Sequence, residues 1–319
     1  MKKRIFLIPL LMLFSTWLRA QQQPLLSQYM LNDYYFNPSY GGSGERLSFT
    51  FLHRAQWAGY EDYQGNKGSQ QLQFFNVSFN PDSTGHNIGL QFTRDKIGSV
   101  TSTGIQLSYA YRINVTEKST LAVGFRGGIA SKSIDFGEYI IKHPDDPLIG
   151  EGKQSETKPD VTLGVWYEHK KYYAGISAKG MVTQAEYETL GIQNEKLLTA
   201  TAGYHFTLNK DWNLTPSTQV VTTTKQTFIA GNVLVQNKNG FWSGLSYRHE
   251  EAATVLLGFA MMQQKLRFSY AFDYVTSSKS IKTNTSHEIM VQYCIGRLHA
   301  RKKKPLPRPP SAKEIDLYR

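Results

Sequence analysis

The 319-residue chain is 13% aromatic and 19% charged, has one cysteine and carries a formal net charge of +11. The lone cysteine excludes an internal disulfide, and past residue 20 no apolar run reaches the roughly eighteen residues that a membrane-spanning helix needs. Four cations lie in the first 20 residues, and residues 297–319 hold eight basic residues against two acidic ones; the rest is near neutral, so nothing supports a nucleic-acid partner.

In chain order, Lys2, Lys3 and Arg4 precede an apolar stretch over residues 5–18, and Leu18-Arg19-Ala20 ends on a small residue. This predicts a cleaved secretory signal peptide over residues 1–20, too short to span a bilayer stably. No cysteine stands near the cleavage point, which argues against a lipoprotein. Residues 21–44 form a lead-in, where Pro38, Gly41 and Gly42 forbid a regular helix. Tyr34, Tyr35, Phe36 and Tyr40 cluster there, too much aromatic surface to leave in water. They either plug the interior of the sheet that begins at Glu45 or form a surface for a partner.

From Glu45 onward the chain alternates with period two. Fourteen segments are predicted as strands: 45–57, 69–80, 86–95, 101–114, 119–135, 158–170, 172–181, 195–208, 212–224, 226–236, 240–248, 252–262, 265–275 and 283–295. Leu47, Phe49 and Phe51 alternate with Ser48 and Thr50. Ile105, Leu107, Tyr109, Tyr111 and Ile113 alternate with Gln106, Ser108, Ala110 and Arg112. Leu266, Phe268, Tyr270, Phe272 and Tyr274 alternate with Arg267, Ser269, Ala271 and Asp273. A two-sided protein core would not take these charges, and an Arg facing hydrocarbon costs about 2–4 kcal/mol at mid-depth. One face must therefore meet lipid and the other a polar lumen, toward which Arg112, Arg126, Arg267 and Asp273 point. The predicted class is all-β: a transmembrane antiparallel β-barrel of about fourteen strands over residues 45–296, with a plug-like segment before it. Connections alternate between tight turns (170–171, 209–211, 263–264) and longer loops (58–68, 136–157, 182–194, 276–282), as in outer-membrane barrels. A missed or extra hairpin preserves parity, so twelve or sixteen strands stay open. Cys294 should point away from lipid in a packing role.

Residues 297–319 form a basic, Pro-rich tail expected to be extended. It is either a solubilising tail or a periplasmic docking segment. No catalytic constellation is found. GGSGE at 41–45 lacks the final Gly of a nucleophile elbow, and Ser286 and His287, adjacent on a strand, face opposite sides. His143-Pro144-Asp145-Asp146-Pro147 has no flanking ligand cluster and reads as a solvated loop. No metal, cofactor or enzyme activity is expected.

Three ordered blocks carry a resemblance: Ser27-Gln28-Tyr29-Met30, then Asn37-Pro38-Ser39-Tyr40-Gly41-Gly42, then Arg54-Ala55-Gln56-Trp57-Ala58-Gly59. Together they resemble the start of the PorP/SprF family of Bacteroidetes outer-membrane proteins. The loop after Gly59 departs from that family, with Glu61-Asp62-Tyr63-Gln64-Gly65 in place of a Gly, a Pro and a Thr. The resemblance implies a non-enzymatic outer-membrane part of the type IX secretion and gliding machinery, embedded in outer-membrane lipid. Its implied partners are periplasmic ring or peptidoglycan-linked components and a large secreted adhesin, engaged through the adhesin's C-terminal domain. Candidate partner-binding residues are Tyr34, Tyr35, Phe36, Tyr40 and Trp57, with Arg301, Lys302, Lys303, Lys304, Pro305, Pro307 and Arg308 of the tail. The alternative is a porin or a transporter of small or hydrophobic solutes.

Overall fold

The computed structural model describes residues 25–41, 45–61, 68–81, 85–138, 152–180, 196–276 and 285–297, with residues 187, 190, 192 and 283 between them. The signal peptide, the His143–Pro147 stretch and the tail residues Arg301 to Arg308 lie outside the described residues.

Period-two alternation becomes strand throughout. The first seven strands are β1 (Glu45–Gln56), β2 (Gln70–Phe79), β3 (His86–Ile97), β4 (Val100–Asn114), β5 (Ser119–Asp135), β6 (Lys153–His169) and β7 (Tyr172–Lys179). The rest are β8 (Leu197–Tyr204), β9 (Phe206–Thr207), β10 (Trp212–Thr223), β11 (Thr227–Asn237), β12 (Phe241–Arg248), β13 (Ala252–Met261), β14 (Leu266–Val275) and β15 (Thr285–Arg297). Each pairs antiparallel with its sequence neighbour, except that the two-residue β9 pairs only with β10. The sheet closes where β15 pairs with β1, Leu47 opposite Ile295 and Arg54 opposite Glu288. The result is a fourteen-stranded barrel with one extra short strand.

Two predicted strands differ in extent. The 195–208 segment breaks at His205, between β8 and β9, because the residue of β10 opposite Tyr204 is Pro216, which has no N–H to give the ladder. The strand expected at 158–170 begins five residues earlier, at Lys153, and pairs fully with β5 up to Asp135 opposite Lys153.

Side chains sort as the alternation requires. Phe51, Ile105, Leu107, Val123, Ile176, Leu245 and Leu257 are exposed on the outer surface, where lipid replaces water. Ser78, Gln91, Gln106, Thr201 and Asn232 are buried on the inner one. Cys294 is buried and faces inward. Among the described residues no helix is long and apolar enough to cross a membrane; the crossing is made by strands, which pair every backbone group around the closed ring.

The two rims differ. One carries the tight turns, including Met262-Gln263-Gln264, all three in left-handed backbone conformation with φ of 52°, 58° and 66°. The other carries the long loops, with short turns at 98–99, 224–226 and 249–251 among them, and there the wall is uneven. β6 stands past the end of β7, because Lys179, the last residue of β7, lies opposite Thr162.

Candidate functional site in the barrel lumen

The segment of residues 25–41 crosses the interior. It contains a 3-10 turn (Tyr29–Leu31), a one-turn helix α1 (Asp33–Phe36) and a second 3-10 turn (Pro38–Tyr40). None of these elements is long enough to hold itself together; the barrel wall holds them.

The first hold is apolar. Leu26 and Tyr29 pack on Leu52, Leu72, Phe74 and Met290, large residues that point into the lumen from β1, β2 and β15. Leu25 packs on Leu197 and Val221 at the long-loop rim. Burying such side chains fully is worth about 1.5–3 kcal/mol each.

The second hold is ionic and bridges the closing strands. Arg54 of β1 donates to Asp273 of β14 at 2.9 Å and to Glu288 of β15 at 3.1 Å. Arg248 of β12 donates to Asp273 at 2.7 Å, as does the Thr254 hydroxyl. The lead-in completes this set: Ser27 and Gln28 donate their backbone N–H groups to the Glu288 carboxylate at 2.8 and 3.0 Å. The Ser27 hydroxyl donates to Asp273 at 2.7 Å and accepts from Arg54 and Arg248. All six side chains are at most 4% exposed. Charges this deep are tolerated only when paired and hydrogen-bonded.

The third hold is close backbone approach. The Asn37 side chain donates to the Val165 and Ile176 carbonyls at 3.0 and 3.1 Å and accepts from the Ser39 N–H. The wall beside it is glycine. A Cβ on Gly124 would lie 2.5 Å from the Ser39 nitrogen, and one on Gly164 would lie 2.1 Å from the Asn37 Oδ1. Only bare backbone leaves room for this turn.

The predicted aromatic residues divide. Tyr34, Tyr35, Phe36 and Tyr40 all lie in this interior segment. Tyr34 hydrogen-bonds Ser108 and sits beneath the Arg126 guanidinium, 4.8 Å from its ring centre. Arg126 also donates to the Tyr34 and Tyr35 carbonyls. Tyr35 meets Phe36 and Phe74 edge-on at 4.8 and 5.1 Å. Tyr40 meets Trp166 at 4.9 Å, and its carbonyl accepts from Arg112. Trp57 lies apart, at the long-loop end of β1, and donates its N–H to the Ser286 hydroxyl. Arg112 and Arg126, read from the sequence as pore-lining, are engaged with the lead-in. Reading the sequence missed Ser27, Asp33, Arg248 and Glu288. Arg54 and Glu288 carried a usable signal, since each is a charge on the inward parity of its strand.

Toward the tight-turn rim the lumen keeps two cavities, about 400 and 200 Å³. Asp33, Tyr40, Trp166, Glu168, Tyr173 and Arg267 line the larger. Asp33 is 3% exposed and its Oδ1 has no hydrogen-bond partner. Burial, and secondarily the charge of Glu168, push its pKa up to about 8. Among the described residues no group of three or more His, Cys, Asp or Glu is placed to hold a metal ion.

A family model described as type IX secretion system membrane protein PorP/SprF matches residues 18–293. The chain belongs to the PorP/SprF family. It is therefore a type IX secretion protein of the outer membrane. The tight turns then face the periplasm and the long loops the outside. No curated protein matches the chain. Among solved structures it is similar to the CymD monoaromatic hydrocarbon channel, with a TM-score of 0.50 and 13% identity over 86% of this chain and 94% of that one. It is similar also to the Acinetobacter baumannii outer membrane protein Omp33, with a TM-score of 0.46 and 5% identity over 80% of this chain and 100% of that one. The likeness to CymD shows the barrel fold alone.

Proposed function

We propose that this PorP/SprF barrel is a binding component of the secretion machinery. It would hold a large exported adhesin at the cell surface through the adhesin's C-terminal domain, with its periplasmic rim and basic tail contacting secretion components inside. The observation that carries this reading is the lumen. A segment of the chain itself occupies it, held by buried ion pairs, an apolar patch and a glycine-lined groove. A barrel filled in this way offers its rims to partners more readily than its axis to solutes.

The test is deletion of the gene, followed by comparison of surface and secreted proteins. Loss of one or more large adhesins from the surface, with restoration by the intact gene, supports the reading; an unchanged surface overturns it. Removing residues 301–319 tests the inner contacts. Export should fall while barrel abundance holds, and unchanged export would refute a docking role for the tail. The solute-channel reading draws on the two cavities at the periplasmic rim. Steady large conductance of the purified wild-type protein in planar bilayers would favour it.

A further inference from the structure

The wall on the outer side is not level, and its tallest part has an edge along which no described strand pairs. On β4, β5 and β6 the outward apolar rows end level with one another, at Ile105, Ile129 and Pro159, and all three are exposed. Past them the outward positions are Thr101, Thr103, Ser131, Ser133, Ser155 and Thr157. Hydroxyl side chains in place of a greasy band mean that this part stands clear of hydrocarbon, in water. On the inward face of the same wing, Ile134 and Val100 pack against Tyr187, Leu190 and Ile192 of the β7–β8 connection, beside Lys132 over the Tyr187 ring and the Lys158–Glu156 ion pair.

Pairing on the wing is one-sided. Residues 153–161 of β6 pair with β5 throughout, whereas the pairing with β7 starts only at Thr162. Gly180 donates its N–H to the Val161 carbonyl at 3.0 Å, so Val161 turns its backbone polar groups toward the β7 side. In an antiparallel ladder every second residue does the same. Pro159, Thr157, Ser155 and Lys153 therefore aim theirs at that edge, where no described strand lies. Pro159 has no N–H to offer, so the donors aimed at this edge begin above it, at Thr157, Ser155 and Lys153. At about 3.3 Å per residue the overhang is roughly 25–30 Å long.

We propose that the β6 edge at Lys153, Ser155 and Thr157 is the site where an exported polypeptide is held, by adding one of its own extended strands to the wing. This rests on the reading of the barrel as an adhesin-holding component. The occupant is set by the chemistry: a row of N–H and C=O groups repeating at every second residue is complemented only by another strand. The flat Ser and Thr surface, free of Gly and bulges, suits a strand whose own outward side chains are polar.

The experiment uses the full-length protein in its own cells. Ser155→Pro with Thr157→Pro removes two N–H groups from this edge and none from the β5 ladder. Surface-held adhesin should fall at least tenfold while barrel abundance and heat-modifiable mobility stay at wild-type level. Glu156→Pro, which breaks the β5 ladder, should lower barrel abundance itself and so calibrates misfolding. A photo-crosslinking amino acid at Thr157 should capture the same large protein that the gene deletion removes from the surface. Wild-type retention by the double variant, or crosslinks confined to this chain's own residues 181–195, would overturn the proposal. If gene deletion depletes an adhesin but the double variant does not, only the edge is refuted; if deletion changes nothing, the adhesin-holding role fails first.

Discussion

Arg54 stands between two carboxylates that have no other reason to be buried. Replacing it with Ala leaves Glu288 without a cationic partner and Asp273 with Arg248 alone. Removing one member of a buried ion pair costs about 3–5 kcal/mol. The expected result for Arg54→Ala is a clear fall in the temperature at which the barrel loses its compact mobility on gels. Asp33 makes the opposite kind of prediction. Its folded pKa, about 8, lies above the ordinary 3.8, so the folded protein keeps a proton that the unfolded chain has released. Stability should therefore decline as pH rises from about 4 to about 8, and change no further from this group beyond that. Asp33→Asn, neutral throughout, should flatten that slope and be the more stable protein at pH 8. Thermal midpoints across pH for the two proteins check it. Arg112, Arg126 and Asp273 were legible as inward charges because each alternates with an apolar row and so falls on the opposite face of its strand. Asp33 was not: it lies on no strand, and only the folded lumen gives it an environment.

At the scale of elements, the glycine-lined groove and the left-handed turn each invite a substitution. Gly124→Val would press its side chain into the Asn37–Ser39 turn. The lead-in should be displaced, read as new channel openings in planar bilayers and faster protease cleavage after residue 30. In the β13–β14 turn, each non-glycine residue in the left-handed region costs about 1–2 kcal/mol. Gln263→Gly should recover some of that, about 1 kcal/mol, as a higher denaturant midpoint. The strands were readable because lipid imposes a sharp contrast between their faces. That contrast also explains the misjudged start of β6. Residues 153–157 read Lys-Gln-Ser-Glu-Thr, polar on both parities, because above the membrane neither face meets hydrocarbon. Leu72 and Phe74 were hidden in a related way. They point inward, against the polar-lumen rule, because the lead-in covers them.

For the molecule as a whole, closure joins the first strand to the last, and the residues at that junction are not self-sufficient. Arg54 and Glu288 face each other across it, yet Glu288 is satisfied only with the Ser27 and Gln28 amides in place. A barrel zipped shut around nothing would trap that carboxylate short of two donors and leave Leu52 and Met290 bare. The lead-in therefore acts as a mandrel: the ribbon of strands is most readily wound with it already seated, and its first residues latch the joint that finishes the ring. Biogenesis of this protein should accordingly depend on residues that never touch lipid, and a chain lacking Ser27 and Gln28 should stall as an unclosed sheet on the insertion machinery.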